Sequence, residues 1–343
     1  MNEKKSPKKK RYEFIDLMKG TCIILVVIQH LVGQCALNPP WLTTFRMPMY
    51  FMLSGIFFST YNSFPTFLLK KFNSLLVPFF MMVVIATGYI YCNYGHWPKN
   101  LDQIIRTNVA IWFLLGLFEV GILYYVISKI PSERIKAIVV MCISFFGYML
   151  FQWGISLPYY LDTSMTAIVF YYLGSLFRKM GLMDRPKKEW IDPLAAIACT
   201  IVFGFMAYIY SDALLDLRLN RILTPYPVFL LSAISGSGAV FFVCKLIRYE
   251  TLLSYWGRYS IVTLCFHLVI YRLLQDFFSL QDPWAGVLLV MLISIPFIWF
   301  VTRHFPFFCS QMPLIDPQTR KPYLTWRQML LVIIKGKKAI RIG

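Results

Sequence analysis

An all-α polytopic membrane protein of about ten transmembrane helices, with both termini cytoplasmic, is the fold class this sequence predicts. Three observations predict it. First, 58% of the 343 residues are hydrophobic and only 15% are charged, against about 25% charged residues in a soluble domain. A soluble core of this size could not hide the excess apolar surface. Second, the chain divides into ten apolar runs, each near the 17–25 residues that a spanning helix needs. Third, its Lys and Arg fall on alternate connecting segments.

The ten runs are read at residues 14–37, 43–60, 72–92, 109–129, 135–153, 163–180, 190–211, 226–247, 257–276 and 284–302. Their breaks carry turn and charge signals: Asn38-Pro39-Pro40, Asn73 with Lys70-Lys71, Pro98, Pro131, Pro158, Arg185-Pro186, Pro225 and Pro283. With the N-terminus placed in the cytoplasm, Lys99, Arg106, Arg218, Arg221 and Arg272 fall on the opposite side and Arg46 inside a span. Every other Lys and Arg falls on the cytoplasmic side. That asymmetry sets both the count and the orientation, because an odd number of missed spans would scramble it.

Residues 1–13 form a basic cytoplasmic tail, 14–302 the membrane domain, and 303–343 a second basic tail. Within the latter, Leu324 to Ile334 is apolar but too short to cross. Followed by Lys335, Lys337, Lys338 and Arg341, it reads as an interfacial helix against anionic lipid. A cleaved leader is the weaker reading of the first run, which carries Asp16 and Lys19 and lacks an A-x-A site. The net charge of +18 is explained by topology, so nucleic acid is not implied. The eight cysteines are scattered without a C-x-x-C pair, and neither a disulfide framework nor a metal site is expected.

Ionisable groups inside spans carry the functional information. Each costs about 2.5–3.5 kcal/mol at mid-bilayer on insertion scales, so its presence asks for a reason. They are Asp16, Lys19, His30, Arg46, Glu119, Asp162 and His267. Asp16 and Lys19 share a helical face and can pair; as a bland alternative, they are a helix-end ion pair with a snorkelling lysine. His30 lies fourteen residues on, nearly four turns and about 21 Å along the axis, and so projects on the same side as Asp16. Arg46 either snorkels outward or is a fixed cation facing a cavity, suited to a phosphate, carboxylate or oxyanion. His267 is read at mid-membrane, and Glu119 as lining the cavity or pairing with a basic group. Asp162 is read as an N-cap, and His96 and His304 as incidental loop residues.

The order of these residues resembles the membrane-bound acyltransferase 3 family, in particular its fucose-4-O-acetylase-like branch. Arg11, Asp16, Lys19, Gly20 and His30 match the opening R-x4-D-x2-K/R-G and its histidine. Phe45, Met47, Pro48, Ser54 and Gly55 match F-x-M-P-x-F-F-x-x-S-G. Leu76, Pro78 and Phe79, then Trp112, Phe113 and Leu114, match the next two elements. Gly257, Ser260 and His267 match the late G-x-x-S with its histidine. Two positions depart from the branch: Gln29 stands where Gly often precedes the histidine, and Arg46 where His is frequent.

The resemblance implies transfer of an acyl group, usually acetyl from acetyl-CoA, to a hydroxyl of a glycan or lipid-linked sugar at the bacterial inner membrane. Under it, His30 is the base or the acyl-carrying imidazole, Arg46 neutralises an oxyanion or phosphate, and His267 is the reserve base. Arg11, Asp16, Lys19, Trp112, Glu119 and Ser260 are expected to bind substrate or CoA, with Asp16 and Lys19 at the CoA end; no metal is expected. The rival class is a transporter or flippase for a glycan lipid or organic anion, in which the same buried charges bind cargo. Transporters often show repeated halves; none is found here.

Overall fold

The computed structural model describes residues 11–59, 63–183, 190–212, 215–247 and 251–339. Most of the predicted N-terminal tail, the break at Arg185-Pro186 and the last residues of the C-terminal tail lie outside them. The long helices are α1 (Glu13–Leu31), α2 (Thr43–Ile56), α3 (Phe64–Lys71) running into α4 (Val77–Tyr94), α6 (Trp112–Ile127) and α7 (Glu133–Gln152). They continue as α8 (Leu161–Lys179), α9 (Ile191–Ile209), α10 (Tyr226–Leu246), α12 (Ser260–Phe278) and α13 (Pro283–His304). Three short helices intervene or follow: α5 (Leu101–Thr107), α11 (Leu252–Arg258) and α14 (Trp326–Lys335). Local chemistry marks the ends. The Ser132 and Asn100 side chains accept the amides of Ile135 and Gln103, Asp282 accepts those of Trp284 and Ala285, and Gly95 closes α4 in a left-handed conformation.

All ten predicted spans correspond to helices, with two corrections in kind. Among the described residues eight helices are long and apolar enough to cross a membrane; α2 and α8 are not among them. Both are interior helices. α2 is only 14 residues long and buries eleven of them by name, from Thr43 to Ile56, while α8 buries Thr163, Ser164, Thr166 and Ser175 among its apolar residues. A helix wrapped by other helices need not be lipophilic. Conversely α9, Ile191–Ile209, exposes Leu194, Ile197, Ile201, Phe205 and Tyr208, as a lipid-facing helix packed mainly on α10 should.

The break expected at Asn73 is absent. The chain stays helical from Phe64 to Tyr94 through one π-helical turn at Phe72–Leu76. The Asn73 amide donates to the carbonyls of Leu69 and Ile315, and its oxygen accepts the amides of Leu314 and Ile315. A polar residue that reads as a loop signal is therefore consumed in pinning the C-terminal segment to the bundle. His304, expected to be incidental, ends α13 and contacts the Ile333 carbonyl of α14 at 2.9 Å. In the same segment the Gln318 amide and Thr319 hydroxyl donate to exposed Asp316 and hold its carboxyl below the usual range. The segment expected to lie at the interface is helical as α14, with Trp326, Leu331 and Ile334 exposed.

Glycines set how closely the central helices approach. A Cβ on Gly257 would stand 1.6 Å from the Asp16 carbonyl oxygen, and one on Gly20 would stand 1.9 Å from that of Leu253. α1 and α11 thus touch backbone to backbone. Gly55 and Gly174 do the same for α2 and α8, their absent Cβ atoms falling 2.0 Å from the Tyr171 oxygen and 1.9 Å from the Met52 oxygen.

Candidate active site

Because successive spans alternate in direction, the end of α1, the start of α2, the turn before α6 and the α9–α10 connection gather at one end of the bundle. That connection is a small antiparallel hairpin, β1 (Leu215–Asp216) and β2 (Arg221–Ile222). It is held by other elements: the Leu215 amide donates to the Thr43 hydroxyl at 2.8 Å, and Thr163 donates to the Leu217 carbonyl at 2.6 Å. Buried Asn220 donates to the Gly147 carbonyl and accepts from Thr166. Together these parts enclose a cavity of about 380 Å³.

His30 and Arg46 both line this cavity, as does Trp112. His267 is fully buried at 0% exposure, and its ring centroid lies 5.3 Å from that of His30. The two motif histidines, one closing α1 and one in α12, are thus neighbours. The His267 Nδ1 lies 2.8 Å from the Leu264 carbonyl and 3.0 Å from the Thr263 carbonyl. Carbonyls only accept, so this nitrogen carries the proton and Nε2 is left with its lone pair. Nε2 is buried and has no hydrogen-bond partner among the described residues. Such an atom is costly unless used.

Arg46 does not snorkel: it is 3% exposed. Its guanidinium donates to the Leu25 carbonyl at 2.7 Å, to Asn38 at 3.2 Å and to Gln29 at 2.8 Å. These acceptors are all neutral, and the Asn38 amide ties the set together by donating to Gln29 and to the Gly33 carbonyl. The arrangement orients a cation without cancelling its charge, which suits a site that receives negative charge.

The other expected site residues lie elsewhere. Asp16 makes no contact ion pair with Lys19; its carboxylate accepts Arg11 at 2.7 Å, and the Lys19 ammonium, still within electrostatic reach of Asp16, lies over the Phe57 ring at 4.7 Å. A long arginine on the preceding turn reaches the carboxylate, whereas α2 offers lysine an aromatic face. The Tyr50 hydroxyl donates to the Lys19 carbonyl at 3.1 Å and faces Ser260, at the start of the helix that carries His267. Glu119 lies outside the histidine cavity and accepts the Ser164 hydroxyl at 2.9 Å. Asp162 is not an N-cap: α8 begins at Leu161 with no side-chain cap, and Asp162 lies in its first turn.

Three cavity residues escaped the sequence reading, Gln29, Asp216 and Arg218, as did fully buried Asn38, which with Gln29 cradles Arg46. Asn38 had read as a break beside two prolines, and Arg218 as a loop charge. The signal that could have found the hairpin is the alternation Leu215-Asp-Leu-Arg-Leu219.

Comparison with curated proteins and with solved structures gives no match. A family model described as an acyltransferase domain matches residues 12–303, which take in α1 to α13 and both histidines. The chain therefore belongs to the acyltransferase 3 family.

Proposed function

We propose that this protein is an integral-membrane O-acyltransferase of the bacterial cytoplasmic membrane. It moves an acetyl group from acetyl-CoA to a hydroxyl of a cell-surface glycan or lipid-linked sugar. The observation that carries this reading is His30, which lines a cavity together with Arg46 and packs on buried His267 with ring centroids 5.3 Å apart. The resemblance of the ordered motifs to fucose-4-O-acetylase-like enzymes supports a sugar hydroxyl as acceptor.

In this reading His30, which borders the cavity, takes the proton of the acceptor hydroxyl as its oxygen attacks the thioester carbonyl. The carbonyl electrons move to oxygen beside Arg46. When they return, the C–S bond breaks and the CoA thiolate leaves with the proton that His30 held. His267 is too buried to meet the acceptor. With its ring packed 5.3 Å from that of His30, its role is positioning rather than that of a reserve base. Arg11 and Lys19, with Asp16 orienting Arg11, are basic groups for the CoA phosphates at the opposite end of α1.

The test uses purified protein in detergent with acetyl-CoA labelled in the acetyl group. Release of CoA that requires His30 supports the reading, and label retained on the protein places an acyl-imidazole on the path. If acetyl-CoA neither binds nor turns over, even with a glycan extract added, the donor assignment falls and cargo transport takes precedence. Arg46→Lys keeps the charge but loses the fork that reaches three acceptors. Turnover is expected to fall by about 10²–10³-fold, and unchanged kinetics in a folded variant would make Arg46 a structural anchor.

A further inference from the structure

Beside the histidine cavity is a second, polar cleft of about 310 Å³, lined by Asp102, Ser156, Tyr159, Tyr160, Asp162 and Arg218 among others. The two are joined. Arg218 lines both, and Trp112 of the first packs on Tyr160 of the second with ring centroids 5.6 Å apart. The catalytic reading above uses neither Tyr159 nor Asp162.

The backbone here is unusual. Tyr159 and Tyr160 are consecutive residues in the left-handed region, at φ 60° and 70°. Bulky side chains rarely adopt that conformation, and holding them there is strained. Glycine would hold it without strain. Tyr159, 66% exposed, lines the cleft together with Arg218 and with Asp162, whose buried carboxylate also accepts backbone N–H groups. An aromatic face, a carboxylate and a guanidinium match the two sides of a pyranose: apolar C–H groups stack on the ring, while hydroxyls donate to Asp162 and accept from Arg218.

We propose that this cleft is a second sugar subsite, so that the acceptor is an oligosaccharide or polymer whose adjoining residue stacks on Tyr159 while its reacting residue occupies the histidine cavity. The proposal rests on the acceptor reading above and adds chain length to it. Arg218, shared by both cavities, marks where the glycosidic linkage crosses.

The experiment is binding of the full chain in detergent to an array of immobilised mono- to hexasaccharides. Wild type is expected to bind di- and longer glycans about tenfold better than the monosaccharide of the same terminal sugar, the scale of one good stacking contact. Tyr159→Gly fits φ 60° without strain, so it folds, and it should reduce the oligosaccharide signal to that of the monosaccharide. Tyr159→Phe keeps the ring and should keep the preference. Equal binding of short and long glycans by wild type, or a preference that survives Tyr159→Gly, overturns the subsite alone. No binding to any glycan overturns the subsite and the glycan acceptor together.

Discussion

His30→Ala lowers acetyl transfer by about 10²–10⁴-fold, the range associated with a positioned general base, while the protein still inserts and elutes as a folded species. The expectation follows from position: His30 is the histidine that lines the cavity, and no other imidazole among the described residues does so. His267→Gln offers a second comparison. It removes the ring yet keeps a side-chain acceptor at a fully buried position, so its loss should be smaller than that of His30→Ala. Initial rates of CoA release from labelled acetyl-CoA, normalised to folded protein, decide the matter. A folded His30→Ala variant with near wild-type rates removes His30 from the chemistry. A His267→Gln loss larger than that of His30→Ala exchanges the two roles.

Gly257→Ala should be among the most destabilising single-methyl changes in the molecule. The added carbon would fall 1.6 Å from the Asp16 oxygen and 2.6 Å from the Gly20 nitrogen. Both are backbone atoms of α1, so no side chain can rotate away and the helices must part. Overpacking usually costs about 1–3 kcal/mol, and backbone against backbone places this case at or above the upper figure. Activity should fall as well. α11 leads directly into α12, so parting α1 from α11 shifts His30 relative to His267. Thermal unfolding in detergent gives the check, with Gly88→Ala as the control, since a Cβ there meets nothing within 4 Å. Equal stability of the two variants would show that α1 and α11 do not touch at Gly257.

These two expectations show different depths of legibility. His30 was visible in the sequence because an imidazole among apolar residues is expensive in a membrane and needs a reason. Gly257 was visible only as a motif letter, because a glycine's packing role depends on what faces it. Asp16 shows the limit of spacing arguments. Three residues along a helix makes Lys19 an available partner, yet Arg11 reaches the carboxylate and Phe57 takes the lysine. Glu119 was legible as a carboxylate inside a span but not as the partner of Ser164.

By itself the sequence determined the positions of the helices, their alternation and which of them carry ionisable groups. Hydrophobic run length and the segregation of Lys and Arg respond to the bilayer as a solvent, and that solvent acts on each segment separately. The tertiary structure decided what no segment holds alone. It brought His30 to His267, cradled Arg46 with Gln29 and Asn38, folded the 215–222 hairpin over the cavity and made α2 and α8 interior helices. Helical periodicity orders faces within one helix. Which faces meet depends on complementarity between helices, here on Gly20, Gly55, Gly174 and Gly257, where a single methyl group would push two backbones apart.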